Sequence, residues 1–345
     1  MRGASALASR AGVSPLLIGL TIVALGTSAP EMAISVDASY SGRGDLALGN
    51  VVGSSIFNVL LILGLSALVS PLQVASRLVR LDVPLLIAAS VLTLVLALDG
   101  TLSAWDGALL CIGAVAYTGL LIWKAKTSRD VDVPTDTVTD TIPLGPWTLR
   151  TWVGQAALVV VGFACLVLGA NGFVAGAVDV AHYFGVSDLI IGLTIVAMGT
   201  SLPEVATSVV AALRGEGDIA VGNVVGSNLS NLLVVLGVAG LVAPAGIPVS
   251  EGALSFDLPV MVATAVACLP IFFTGRRIDR WEGGLFLGYY VAYTAYLILS
   301  ATGHETASLL RTAMIWFVLP LTGITLAVVT FRPHQAQPDS ASSPS

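Results

Sequence analysis

Ala24-Leu25-Gly26-Thr27-Ser28-Ala29-Pro30-Glu31 decides the fold, because Ala197-Met198-Gly199-Thr200-Ser201-Leu202-Pro203-Glu204 repeats it 173 residues later. Working outward, residues 16–71 align with 189–244 without a gap, and 34 of the 56 positions are identical. Each copy sets a Glu beside a Pro inside an apolar run. A single buried carboxylate carries little weight. The same carboxylate at the same place in two copies reads as half of a two-part site.

Composition supplies the surroundings. The chain is 56% hydrophobic and 10% charged, with a mean hydropathy of +0.92. A soluble domain carries roughly a quarter charged residues. This chain has too few to cover a water-facing surface, so lipid must cover part of it. The net charge of -6 is modest and gives no sign of a nucleic-acid partner. Cys111, Cys165 and Cys268 all fall in apolar runs and read as small hydrophobes. No cleavable signal peptide is visible, since the stretch around Arg2 and Arg10 is too polar for its apolar core.

Ten segments are long and apolar enough to cross a bilayer, at about 20 residues each. They fall near 16–40, 46–70, 81–98, 104–124, 152–180, 187–213, 218–243, 254–274, 281–301 and 307–331. The predicted class is therefore an all-α polytopic membrane protein. Residues 1–124 form a first half holding repeat one (16–71), and 125–151 form an acidic cytoplasmic linker. Residues 152–301 form a second half holding repeat two (189–244). An extra helix over 302–331 and a disordered tail over 332–345 follow.

Lys and Arg placement sets the orientation. With the N-terminus in the cytoplasm, Arg2, Arg10, Arg77, Arg80, Lys124, Lys126, Arg129, Arg150, Arg214, Arg276, Arg277, Arg280 and Arg332 lie inside, and only Arg43 and Arg311 lie outside. Both termini are then cytoplasmic in a cell membrane, and the second repeat enters from the opposite face to the first. Inverted repeats with interrupted helices are a secondary-transporter architecture, with the substrate site near the midplane.

The motif's chemistry points the same way. Pro30 lacks an N–H and clashes with the carbonyl four residues back, and it disfavours helical angles at Ala29. The helix should break here and free carbonyls near Gly26 and Thr27. At membrane depth such backbone is tolerated only when buried in protein or lining a cavity. Carbonyls, hydroxyls and a carboxylate are hard oxygen ligands, suited to Ca²⁺ or Na⁺. Asn50, Ser54 and Asn58 stand four apart on one helix face, and Asn223, Ser227 and Asn231 repeat the stripe. Gly49, Gly53, Gly222 and Gly226 let neighbouring helices come close. An ionised carboxylate at the bilayer centre costs about 2.5–3.5 kcal/mol, so Glu31 and Glu204 need a cation or a proton, and the two should compete. Asp82-Val83-Pro84 and Asp257-Leu258-Pro259 read as helix starts, with Asp capping and Pro in the first turn.

Gly-Thr-Ser-x-Pro-Glu followed by Gly-Asn-x-x-Gly-Ser, present twice, resembles the cation/calcium exchanger superfamily, in particular the prokaryotic sodium/calcium antiporters. The resemblance implies Ca²⁺/Na⁺ exchange by alternating access. It implies Ca²⁺ ligands at Glu31, Glu204, Thr27 and Thr200. It implies a flanking Na⁺ group at Ala24, Ser28, Ser54, Asn58, Ala197, Ser201, Ser227 and Asn231. No cofactor is implied beyond the transported ions. Some relatives have Asp where this chain has Asn58 or Asn231, so the site here carries two negative charges. The resemblance also implies a helix ahead of the first repeat, and subtracting 173 from Val174 lands on Met1, so the N-terminal family helix is expected to be missing.

H⁺/Ca²⁺ exchange, or exchange of another divalent cation, is the alternative within transport, and a passive cation channel lies outside antiport. An enzyme is not expected, because there is no His-Glu-x-x-His and no intramembrane His to serve a Ser as base.

Overall fold

The computed structural model describes residue 20 and residues 24–127, 152–273 and 276–313. The start of the 16–40 segment, the linker beyond Thr127, the 307–331 helix beyond Ala313 and the tail all lie outside the described residues. Two short helices, α1 (Ala24–Thr27) and α2 (Ala29–Tyr40), are separated by Ser28 alone. They are followed by α3 (Gly44–Val69), α4 (Leu78–Asp99), α5 (Ala104–Thr127) and α6 (Trp152–Tyr183). The second half holds α7 (Asp188–Thr200), α8 (Leu202–Leu213), α9 (Gly217–Val242), α10 (Leu258–Phe273), α11 (Arg280–Ala301) and α12 (Thr306–Ala313).

Among the described residues, five helices qualify as membrane spans by length and apolarity: α3, α4, the 104–123 part of α5, α9 and α11. The broken pair α7–α8, bent by 47°, makes a sixth when counted as one span. The molecule is a helical, multi-span membrane protein. Burial sorts the spans. The apolar windows of α3 and α9 are each 83% buried, while those of α5 and α11 are 17% and 22% buried. The two stripe-bearing helices therefore form the centre. Outer helices turn Trp105, Ile112, Val115, Val291 and Ile298 outward, as a lipid-facing surface requires.

Two short ribbons tie the ends of the bundle. β1 (Leu72–Gln73) pairs with β4 (Arg277–Ile278), and β2 (Thr101–Leu102) pairs with β3 (Ile247–Pro248), both antiparallel. Gly44, at the start of α3, abuts Ile247 and Pro248, just past the end of α9. Gly217, at the start of α9, abuts Leu72 and Gln73, just past the end of α3. The two central helices thus run in opposite directions. Their last turns are held alike: a Cβ at Gly64 would lie 2.9 Å from the Gly283 carbonyl, and one at Gly107 would lie 2.6 Å from the Gly237 carbonyl.

Among the described residues, five helical stretches widen to π geometry. They are Asn58–Leu63 and Asn231–Val235 in the central helices, Gly192–Val196 in α7, and Leu78–Asp82 and Ala253–Asp257, at the start of α4 and just before α10. π turns mark strain or function within helices. The last two correct the capping expectation. Asp82 has helical angles and makes no cap bond. Its carboxylate accepts from Tyr117 Oη at 3.1 Å, with Arg77 Nε 3.6 Å away. Asp257 likewise accepts from Tyr293 Oη at 3.0 Å. The carboxylates join α4 to α5 and α10 to α11, because both are buried and a buried carboxylate needs a donor.

Candidate functional site

Each motif breaks its helix at one residue. Ser28 (φ -76°, ψ 6°) separates α1 from α2, and Ser201 (φ -84°, ψ 7°) separates α7 from α8. The break falls one residue before the position expected at Ala29, which is helical. Pro30 and Pro203 sit in the first turn of the new helix, where a missing N–H costs no helical bond. The proline still offers no donor to Gly26 or Gly199, the carbonyls four residues back.

Glu31 and Glu204 follow directly, both fully buried. Ser201 Oγ, from the second motif, donates to Glu31 Oε1 at 2.9 Å. The stripes meet the motifs crosswise. Thr200 Oγ1 donates to Asn50 Oδ1 at 3.1 Å, and Thr27 Oγ1 lies 3.5 Å from Asn223 Oδ1 and 3.3 Å from Ser227 Oγ. Ser54 Oγ reaches the Ala197 carbonyl at 3.5 Å, and the Ala24 carbonyl accepts from Thr27 at 3.3 Å. Asn58 Nδ2 donates to Asn228 Oδ1 at 2.9 Å. All twelve residues singled out from the sequence are buried: Ala24, Thr27, Ser28, Glu31, Ser54, Asn58, Ala197, Thr200, Ser201, Glu204, Ser227 and Asn231.

Several polar atoms there have no hydrogen-bond partner among the described residues. They are Glu31 Oε2, both carboxylate oxygens of Glu204, Ser28 Oγ, Asn58 Oδ1 and both amide atoms of Asn231. A buried polar atom without a partner costs about 1–3 kcal/mol, more when charged. Seven such atoms among these residues are unfavourable unless something else binds them. No Lys or Arg is buried among the described residues, and no group of three or more His, Cys, Asp or Glu is gathered among them. What remains is a set of hard oxygens carrying two carboxylates.

Sequence reading missed three supports. Asn50 Nδ2 donates to Ser35 Oγ at 2.9 Å, and Asn223 Nδ2 donates to Ser208 Oγ at 3.0 Å. Ser35 and Ser208 are identical positions of the repeat, which was the available signal. Asn228 Nδ2 donates to the Ser55 carbonyl at 3.1 Å. Asn228 stands opposite a Ser in the first copy, so identity between copies could not mark it.

A multi-span helical membrane protein with two crossed, carboxylate-bearing helix breaks is the class that fold and site define. The chain belongs to the sodium/calcium exchanger protein family, whose profile matches residues 1–123 and 154–299. It is 41% identical over 304 residues to the putative antiporter CaxA of Alkalimonas amylolytica, covering 87% of this chain and 92% of that one. It is 29% identical over 296 residues to the Ca²⁺/H⁺ antiporter ChaA of Bacillus subtilis, covering 80% and 82%. Among solved structures it resembles the sodium-calcium exchanger NCX_Mj soaked with Na⁺ and Sr²⁺, with a TM-score of 0.68, 33% identity, and coverage of 85% of this chain and 90% of that one.

Proposed function

We propose that this chain is a secondary antiporter exchanging Ca²⁺ for Na⁺ by alternating access, with the ions held between the two repeats. The buried carboxylates carry the reading: Glu31, bonded by Ser201 of the second motif, and Glu204 are both fully buried with unpartnered oxygens, and no cationic side chain is buried among the described residues. Two ionised carboxylates neutralise one Ca²⁺, so the ion would offset their desolvation. Glu31, Glu204 and the carbonyls of Thr27 and Thr200 bind Ca²⁺. Ala24, Ser28, Ser54, Asn58, Ala197, Ser201, Ser227 and Asn231 provide flanking Na⁺ positions that share oxygens with it. Occupation by one ion then weakens the other, which is the condition for exchange.

The opposed directions of α3 and α9 and the crosswise bonding support an inverted pair of repeats. In such a pair, a movement that opens one face has its counterpart at the other. The β1–β4 end carries Arg276, Arg277 and Arg280, while Arg43 and Arg311 belong near the β2–β3 end, which supports cytoplasmic termini in a cell membrane. H⁺/Ca²⁺ exchange is the second reading. The likeness to a Ca²⁺/H⁺ antiporter favours it, and so does the fact that a proton neutralises a carboxylate as a cation does.

A counter-ion swap in vesicles separates them. Purified chain in liposomes loaded with Na⁺ should take up ⁴⁵Ca²⁺ when diluted into Na⁺-free buffer at equal pH. Uptake driven by an acid interior but indifferent to Na⁺ would make H⁺ the counter-ion. Flux without either gradient would indicate a channel.

A further inference from the structure

Where α3 ends and α11 begins, a shallow, largely open cavity of about 520 Å³ lies at the rim of the bundle, lined by Pro71, Arg277, Asp279, Arg280 and Trp281. Its walls are held from several sides. The β1–β4 ribbon clamps the α10–α11 connection against the α3–α4 connection. Arg276 adopts a left-handed backbone (φ 51°), uncommon for such a residue. Its carbonyl accepts from the Val74 N–H at 2.8 Å, and its guanidinium donates to Ser76 Oγ. Asp279 caps α11 in a capping box with Glu282. Arg277 Nε pairs with Asp279 Oδ1 at 2.9 Å. Arg280 has no ion pair among the described residues. Two guanidiniums against one carboxylate leave the lining net positive. Trp281 is half exposed beside them, in the first turn of an apolar span. That places the cavity at the boundary between membrane and water, where Trp is favoured.

We propose that this cavity holds the phosphate of an anionic phospholipid headgroup, with Arg280 as its main ligand, Arg277 as the second, and Trp281 against the upper part of the lipid. Basic pockets beside spans take such headgroups, and a guanidinium fork matches phosphate oxygens in two-point contact. The volume lies within the about 300–1,000 Å³ range of small-molecule sites. A zwitterionic headgroup brings its own cation and gains less from a positive lining. An occupant would bridge the end of α3, the helix bearing Ser54 and Asn58, to the start of α11.

The test is native mass spectrometry of the full chain in detergent, titrated in parallel with short-chain phosphatidylglycerol, phosphatidylcholine and inorganic phosphate. Phosphatidylglycerol should be retained saturably and in preference to phosphatidylcholine. Arg280→Gln should weaken retention about fivefold, the effect of one arginine at a membrane surface, and Arg277→Gln should weaken it less. Arg43→Gln, at the other end of the bundle, should leave it unchanged. An unaltered melting temperature without lipid shows that each variant is folded. Equal retention of phosphatidylcholine, or retention unaffected by both arginine variants, overturns the proposal. Arginine-dependent retention of inorganic phosphate without phosphatidylglycerol overturns the lipid assignment in favour of a free anion.

Discussion

Ser201 donates a 2.9 Å hydrogen bond to Glu31 across the two repeats, and the matching atoms, Ser28 Oγ and the Glu204 carboxylate, have no such bond. The site is symmetric in residues and asymmetric in bonding. A hydrogen bond to a charged group is worth about 1.5–3 kcal/mol. Ser201→Ala should therefore weaken Ca²⁺ binding about tenfold or more, and Ser28→Ala should weaken it less. Isothermal titration of the purified variants with Ca²⁺ measures both.

Gly53 should not tolerate even a methyl group. A Cβ there would lie 2.6 Å from the Leu193 carbonyl and 2.8 Å from Ala197 Cβ. Replacing a helical Gly by Ala gains about 1 kcal/mol of propensity, while overpacking costs about 1–3 kcal/mol. Backbone cannot yield as a flexible side chain does, so the clash wins. Gly53→Ala should lower the melting temperature in detergent and abolish exchange. Gly169→Ala in α6, with nothing within 4 Å, should leave both intact.

Tyr293→Phe should destabilise more than Tyr117→Phe. Each removes the hydroxyl that serves a buried Asp. Asp82 keeps Arg77 at 3.6 Å, whereas Arg311 bonds the Ser255 carbonyl at 3.4 Å, lies over the Phe256 ring and acts on Asp257 through its charge alone. The cost at Asp257 should be about 1–3 kcal/mol, read as the larger fall in melting temperature.

Acidification should weaken Ca²⁺ binding. Metal ligands must be deprotonated to bind, and this site has only two carboxylates to lose. Protonation favours the ion-free form, so the apparent Kd should rise as pH falls, and Ca²⁺ binding should release protons into weakly buffered solution. A Kd independent of pH would mean that the carboxylates are not ligands.

The paired Glu residues, the helix breaks and the central stripe were legible because duplication marks them. Pro30 with Glu31 and Pro203 with Glu204 identify themselves by chemistry that is costly in a membrane. Asp82 and Asp257 were misread because Asp-x-Pro looks locally like a helix start. Their partners lie 35 and 36 residues away, beyond the reach of any local pattern. Asn228 escaped notice because it holds a backbone carbonyl of Ser55, a role that leaves no matching residue in the other copy. Asn50 stands in the oxygen stripe with Ser54 and Asn58, but its bonds to Ser35 and Thr200 are those of a helix brace.

The central claim is one ion site shared by two repeats, and Ca²⁺ binding stoichiometry of purified Glu31→Gln, Glu204→Gln and double-variant protein tests it most directly. Groups acting on one ion are not additive. One Ca²⁺ per wild-type chain, lost nearly as completely in each single variant as in the double, is the predicted result. Two Ca²⁺ per chain, with each single variant keeping one, would contradict it.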